Sequence, residues 1–412
     1  MLVEKILTHY KKNNDIVNNI LFLCVEKVFV FIMVFYVEAM ISRALGIENY
    51  GKWLYAVNLI LVISSLTLVA GSEVVVPALA RVKNVQLQWD ILTGAFIIRM
   101  ALSVVTFIGI YVYICFFIHD ESLKLMLKPL AFVLLLIEPF GVITNYYQSK
   151  IRSWPIVLAR LFALFIRCVV VSFAVWVGHD VAIYFCRSIE ALVLALILSV
   201  LILRCGYKCV VSPRVINKIF IRGLKLWAPL ILMLIYMRVD RFFVENYLGY
   251  KELASYGVAA QVMEQLMLLV SIVIMSIGPK LIFKKLSIDK RKVVLLISLI
   301  TIPIQIFAAF SLPFFIGRVF GSDYDNSAIM AIKMLPALFF YAIDMVYMQY
   351  IYKNRLYHVV FIKWALMLLI CMASYYFWLS VMGRKDIAPV FVFNYICMLV
   401  VTILVSRIRK VN

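Results

Sequence analysis

Runs of about twenty predominantly apolar residues recur along this chain, with only short polar stretches between them. A helix rises ~1.5 Å per residue, so each run matches the ~30 Å hydrocarbon thickness of a bilayer. Twelve runs are read, at roughly 18–41, 51–76, 90–116, 125–148, 156–178, 181–204, 226–247, 253–278, 293–316, 328–352, 358–381 and 387–406. Lipid offers no partners to backbone N–H and C=O groups, so a run of this length has to be helical. The fold class expected is an all-α integral membrane protein of twelve transmembrane helices. Composition agrees: 65% of the 412 residues are hydrophobic and 15% are charged, unlike a soluble domain. No loop is long enough to fold by itself, which argues against a separate catalytic or regulatory domain.

The basic residues orient the chain. With the N-terminus in the cytoplasm, segments 1–17, 77–89, 149–155, 204–225, 279–292, 353–363 and 407–412 hold 25 Lys and Arg. The opposite side holds 8: Arg43, Lys52, Lys124, Lys128, Lys251, Arg318, Arg384 and Lys385. Cytoplasmic loops carry such an excess, so both termini are expected in the cytoplasm. The net charge of +20 is then partly topological, with attraction to anionic membrane lipids as its consequence. Nucleic acid is not an expected partner, because these cations sit in short loops between apolar runs. The start, MLVEKILTHYKKNND, is too polar for a cleavable signal peptide, and the first run is expected to act as the insertion signal.

Little points to bond-making chemistry. Most of the eight cysteines lie in or beside apolar runs; Cys205 and Cys209 have a metal-like spacing but no second pair. His9, His119, His179 and His358 are scattered, and no nucleotide-binding loop of Walker type is present. No enzyme activity, metal or cofactor is expected, apart from coupling to H+ or Na+.

The chain reads as two halves. Leu45-Gly46-Ile47-Glu48-Asn49-Tyr50-Gly51 joins runs 1 and 2; Leu248-Gly249 through Tyr256-Gly257 joins runs 7 and 8. The glycines are offset by 203 and 206 residues, and half of the chain is 206. The expected units are a six-helix bundle over 1–205, a basic cytoplasmic linker over 206–225 and a second six-helix bundle over 226–412. A parallel repeat of this kind suits transport by rocking one half against the other.

Charged residues inside the spans are costly, by roughly 2.5–3.5 kcal/mol each on insertion scales, and they mark substrate or ion paths. Lys27, Arg99, Arg167, Arg187, Arg238 and Arg241 are the candidate cations of a lumen. Arg suits a phosphate or pyrophosphate, because its planar fork stays charged and binds oxygens bidentately. Glu138, Asp240, Glu264 and Asp344 are the candidate acids for ion coupling. Blander readings stand beside these. Arg187 and Glu190 are three apart and can neutralise each other. Arg238, Asp240 and Arg241 can form one local ion cluster. Arg160 and Lys333, near span ends, can snorkel to the interface. Most tyrosines suit the interfacial belt, with Tyr146, Tyr147, Tyr236, Tyr347 and Tyr350 as exceptions.

The hinges carry a family resemblance. Ile41-Ser42-Arg43-Ala44-Leu45-Gly46 through Tyr50-Gly51 resembles the first-loop signature of polysaccharide flippases. Arg238-Val239-Asp240-Arg241, followed by Leu248-Gly249 and Tyr256-Gly257, resembles the start of their second half, and Phe320-Gly321-Ser322-Asp323-Tyr324 resembles a later outward loop. The resemblance covers nearly the whole chain and is to the multidrug/oligosaccharidyl-lipid/polysaccharide (MOP) superfamily, in its Wzx-type O-antigen flippase branch. It implies a MATE-like fold with a V-shaped central cavity between two six-helix bundles. It implies translocation of undecaprenyl-diphosphate-linked oligosaccharide units across the bacterial inner membrane by alternating access, for O-antigen or related surface polysaccharide. The implied partners are the lipid-linked oligosaccharide, membrane lipids, a polysaccharide polymerase and a chain-length regulator.

Two rival readings remain. A MATE-like drug/cation antiporter would favour an acidic lumen, whereas the cations here dominate the middle of the spans. A membrane polymerase or glycosyltransferase usually needs a large outward loop, and none is long enough here.

Overall fold

The computed structural model describes residues 14–152, 154–283, 290–353 and 357–407. Among them there are helices and no strands. The helices are α1 (Asn14–Ser64), a 3₁₀ stretch (Ser65–Ala70), α2 (Ser72–Arg81), α3 (Val85–Phe117), α4 (Glu121–Ser149), α5 (Trp154–Val177), α6 (Asp180–Tyr184) and α7 (Cys186–Arg204). There follow α8 (Pro213–Leu248), α9 (Tyr250–Phe283), α10 (Lys290–Phe320), α11 (Asp325–Met334), α12 (Pro336–Lys353), α13 (Tyr357–Tyr376), extended by a π turn, and α14 (Ala388–Arg407).

Ten of the described helices are long and apolar enough to span a bilayer, and the bent pair α11–α12, with its short leading turn, makes eleven. The break inside α1 supplies the twelfth. Gly46 there has φ 71° and ψ 168°, which divides α1 into two arms. Each run starts and stops for local reasons. Asn84 caps α3 by accepting from the Gln86 N–H, and Asp120 caps α4 by accepting from Ser122 and Leu123. Pro213 opens α8, and Gly249 (φ 84°) closes it, with its N–H on the Glu245 carbonyl at 2.8 Å. Gly249 is thus the second positive-φ hinge, and like Gly46 it follows a leucine. Outward-facing side chains such as Phe116, Trp176, Phe307 and Phe310 are each at least 74% exposed, as lipid-facing groups must be.

Helices of 14–204 pack mainly on one another (α3 on α4, α4 on α7, α1 on α5), as do those of 213–407 (α8 on α13, α12 on α14, α9 on α12). The principal link between the two sets is α1 against α9. Glycines make that crossing. A Cβ on Gly51 would lie 2.0 Å from the Tyr250 carbonyl oxygen, and one on Gly257 would lie 2.4 Å from Leu54 Cδ1. Each hinge therefore lends its glycine to the other's helix, and small residues let the backbones close up. A second link uses α8. A Cβ on Gly223 would meet the Val69 carbonyl oxygen at 2.1 Å, and Trp227 Nε1 donates to the Ser65 carbonyl at 3.1 Å. Residues 213–225, read above as linker, are the first turns of α8 and lean on α3 and the 3₁₀ stretch.

Candidate functional site

Among the described residues, four ion clusters are buried or partly buried within the spans. In the first set, Glu38 on the first arm of α1 accepts from two arginines. Arg167 Nη2 lies 2.7 Å and Arg187 Nη2 3.2 Å from Glu38 Oε1. Arg167 Nη1 also reaches Glu190 at 3.4 Å, and the Tyr50 hydroxyl donates to Glu38 Oε2 at 3.4 Å. Arg187 therefore pairs with Glu38, not with its sequence neighbour Glu190. Glu38 and Arg167 are 1% and 2% exposed.

The second cluster repeats the pattern in the other set. Glu264 on α9 accepts from Arg238, at 3.0 Å, and from Arg241, both on α8. Asp240 is not their partner: it accepts from the Tyr256 hydroxyl, and its Oδ1 is buried with no hydrogen bond. Arg238 Nη1 also donates to Asn58 Oδ1 on the second arm of α1 at 3.2 Å, so this arginine bridges the two sets. The cluster lines a cavity of about 240 Å³ with Ser271, Tyr236, Tyr341, Tyr395 and Asn394. The side chains of Arg238 and Glu264 are 27% and 37% exposed.

The third cluster is Arg99 with Glu138. Arg99 Nε donates to the Ala70 carbonyl at 2.9 Å, and its Nη1 lies 3.0 Å from the Glu138 carbonyl and 3.4 Å from the carboxylate. Both line a separate cavity of about 300 Å³ with Arg160, Asn145 and Gln148. The fourth is Asp344 with Lys363, at 2.7 Å, where Thr402 Oγ1 also donates to Asp344 at 2.5 Å. Lys363 is 0% exposed. Its place among the cytoplasmic cations is thereby corrected, because it stands inside α13 and balances a buried carboxylate.

Of the six candidate cations, Arg167 and Arg187 converge on one carboxylate, and Arg238 and Arg241 on another. Arg99 stands apart, and the side chain of Lys27 lies outside the described residues. Lys333, read as able to snorkel, reaches Asp386 at 2.7 Å on an exposed face. Asn58 and Lys363 were not singled out from sequence, and Tyr256 was read only as part of the second hinge. Lys363 alone left a signal, a charge five residues inside an apolar run. Among the described residues, no group of His, Cys, Asp and Glu could hold a metal ion.

The helix order and the break at Gly46 make an all-α membrane fold. An inward-facing MATE family transporter of the MOP superfamily superposes with a TM-score of 0.72 at 12% identity, covering 92% of this chain and 96% of its own. The lipid II flippase MurJ, in an inward closed conformation, does so with 0.69 at 13%, covering 93% and 87%. A MOP superfamily transporter from Pyrococcus furiosus gives 0.63 at 13%, covering 95% of each chain. These likenesses establish the MATE-like fold. No curated protein matches the sequence. A family model described as polysaccharide biosynthesis protein matches residues 77–329, more than half of the chain. The chain belongs to that family, as a multi-pass membrane protein.

Proposed function

We propose that this chain is a flippase that moves an undecaprenyl-diphosphate-linked oligosaccharide from the cytoplasmic to the outer leaflet of the bacterial inner membrane. The product serves O-antigen or a related surface polysaccharide. The observation that carries this reading is the Arg238–Arg241–Glu264 cluster. It is partly open, it lines a cavity, and it is hydrogen-bonded to the other half of a MOP-type fold in a polysaccharide biosynthesis family.

The chemistry follows from the geometry. A diphosphate arriving at the cavity exchanges with Glu264 for Arg238, trading one charge-assisted bond for a bidentate one. Arg241 is 4% exposed and holds Glu264 in place during the exchange. The hydrogen bond from Arg238 to Asn58 couples this event to the join between the halves. Arg187, whose side chain keeps 26% exposure, supplies a further positive charge for the path, with Lys27 and Arg99, while Arg167 is sealed on Glu38 and holds it in place. Of the four coupling acids, Asp240 alone has a buried oxygen with no hydrogen bond among the described residues, so it is the acid best placed to take up H+ or Na+. Both termini face the cytoplasm in this reading, and the polymerase and chain-length regulator receive the product on the far side.

The test is deletion of the gene followed by analysis of surface polysaccharide and of lipid-linked intermediates. Loss of long chains, with cytoplasm-facing lipid-linked units accumulating, is expected. Normal polysaccharide together with increased drug sensitivity would instead identify a drug/cation antiporter. Collapsing the proton and sodium gradients in turn should slow export for the coupling ion; export indifferent to both removes Asp240 from the mechanism.

A further inference from the structure

On the outside of the join, the first arm of α1 and the end of α10 enclose a groove of about 330 Å³. Its walls are apolar and largely aromatic: Phe31, Ile32, Phe35, Tyr36 and Phe315. At one end stand Arg43 and Arg318, both exposed. They come from helices 275 residues apart in sequence, and Arg43 Nη2 donates to the Arg318 carbonyl at 2.7 Å. That bond caps the last turn of α10 and occupies one N–H of Arg43. Neither guanidinium has an ion pair among the described residues.

Two like charges lining one groove favour an anion that can join them. The arrangement also runs against the charge pattern of the chain, because the side on which these residues fall holds 8 Lys and Arg against 25 on the other. Two forks facing one opening match a diphosphate, which offers two or more charges and several acceptor oxygens. A phospholipid with one phosphodiester charge leaves one arginine unpaired. An isoprenoid chain suits the aromatic wall that leads away from them.

We infer that this groove is an outer-leaflet docking site for the diphosphate lipid, with Arg43 and Arg318 on the diphosphate and Phe31, Ile32, Tyr36 and Phe315 against the polyprenyl chain. It rests on the flippase reading above. The groove holds the carrier by its lipid end after the head group has left the cavity lined by Arg238.

The test places a photo-reactive benzoylphenylalanine at Ile32, which is 57% exposed and lines the groove. The full-length protein in phosphatidylcholine nanodiscs is irradiated with undecaprenyl diphosphate. A crosslink is expected that falls about tenfold in the R43Q/R318Q variant, as befits loss of charge-assisted hydrogen bonds. R318Q alone removes a charge and leaves the cap on α10 intact; a fall of about threefold is expected there, and it reads out even if the double variant does not fold. Excess phosphatidylglycerol should displace little. A crosslink undiminished in R318Q, or displaced by phosphatidylglycerol as readily as by unlabelled undecaprenyl diphosphate, overturns the inference. Crosslinking needs no transport, so the two readings fail separately. A wild-type protein that crosslinks but does not flip in vesicles overturns only the flippase. One that flips at full rate without crosslinking overturns only the groove.

Discussion

Glu38 receives Arg167 and Arg187 in the first half; Glu264 receives Arg238 and Arg241 in the second. The charges and the one-acid, two-base connectivity are the same, but the surroundings are not. Each cluster has one sealed arginine, Arg167 at 2% and Arg241 at 5%, and one partly open, Arg187 at 26% and Arg238 at 27%; the difference is in the acid, since Glu38 is shut among α1, α5 and α7 at 1% exposure whereas Glu264 keeps 37%. A sealed ion pair gains little over an apolar core but is expensive to break, since the survivor is left charged and dry. An open pair is screened and exchanges partners at small cost. The first cluster is therefore suited to holding α1, α5 and α7 together, and the second to taking a ligand.

The sharpest way to break this contrast is Arg167→Leu. It should cost about 3–5 kcal/mol and largely remove folded protein, read by thermal unfolding in detergent. A variant that folds normally and loses only export would make the sealed cluster a transport element after all. Lys363→Met should cost nearly as much, about 3 kcal/mol, because Asp344 keeps only Thr402. The double change D344L/K363M should recover most of that loss, since an apolar pair replaces a buried ionic one. If it does not, that pair contributes more than charge balance.

Gly46→Ala and Gly249→Ala test whether the hinges are equivalent. Nothing lies within 4 Å of either Cβ position, so only backbone strain is added, about 1–3 kcal/mol in each case. Melting shifts that differ severalfold between the two would argue against a structural repeat. Arg238→Gln should be the mildest for stability, under about 1 kcal/mol. Export should nonetheless fall at least about tenfold, with Arg238→Lys restoring part of it, because a point charge replaces a planar fork. Full export from Arg238→Gln at normal expression removes the open cluster from the mechanism.

The resemblance noted in the hinges and the family match agree. The twelve runs and the two hinge glycines, Gly46 and Gly249, were legible because each depends on a short stretch of chain. The partners of the charges were not. Arg187 stands three residues from Glu190 yet pairs with Glu38, 149 residues away. Asp240 stands between two arginines, yet both choose Glu264 from the next helix. Helical spacing identified which side chains share a face, and it was silent on which helix that face meets.

What the sequence determined by itself was local: helices long enough to cross a bilayer, their breaks at Gly46 and Gly249, and an excess of cations on one side. Hydrophobic length and backbone freedom act over a few turns and need no neighbour. Only the tertiary structure decided that Arg167 is sealed while Arg238 is open, that Lys363 is buried, and that Arg43 meets Arg318. Those outcomes depend on how helices far apart in the chain pack, and the cost of a charge is set by whatever that packing puts beside it.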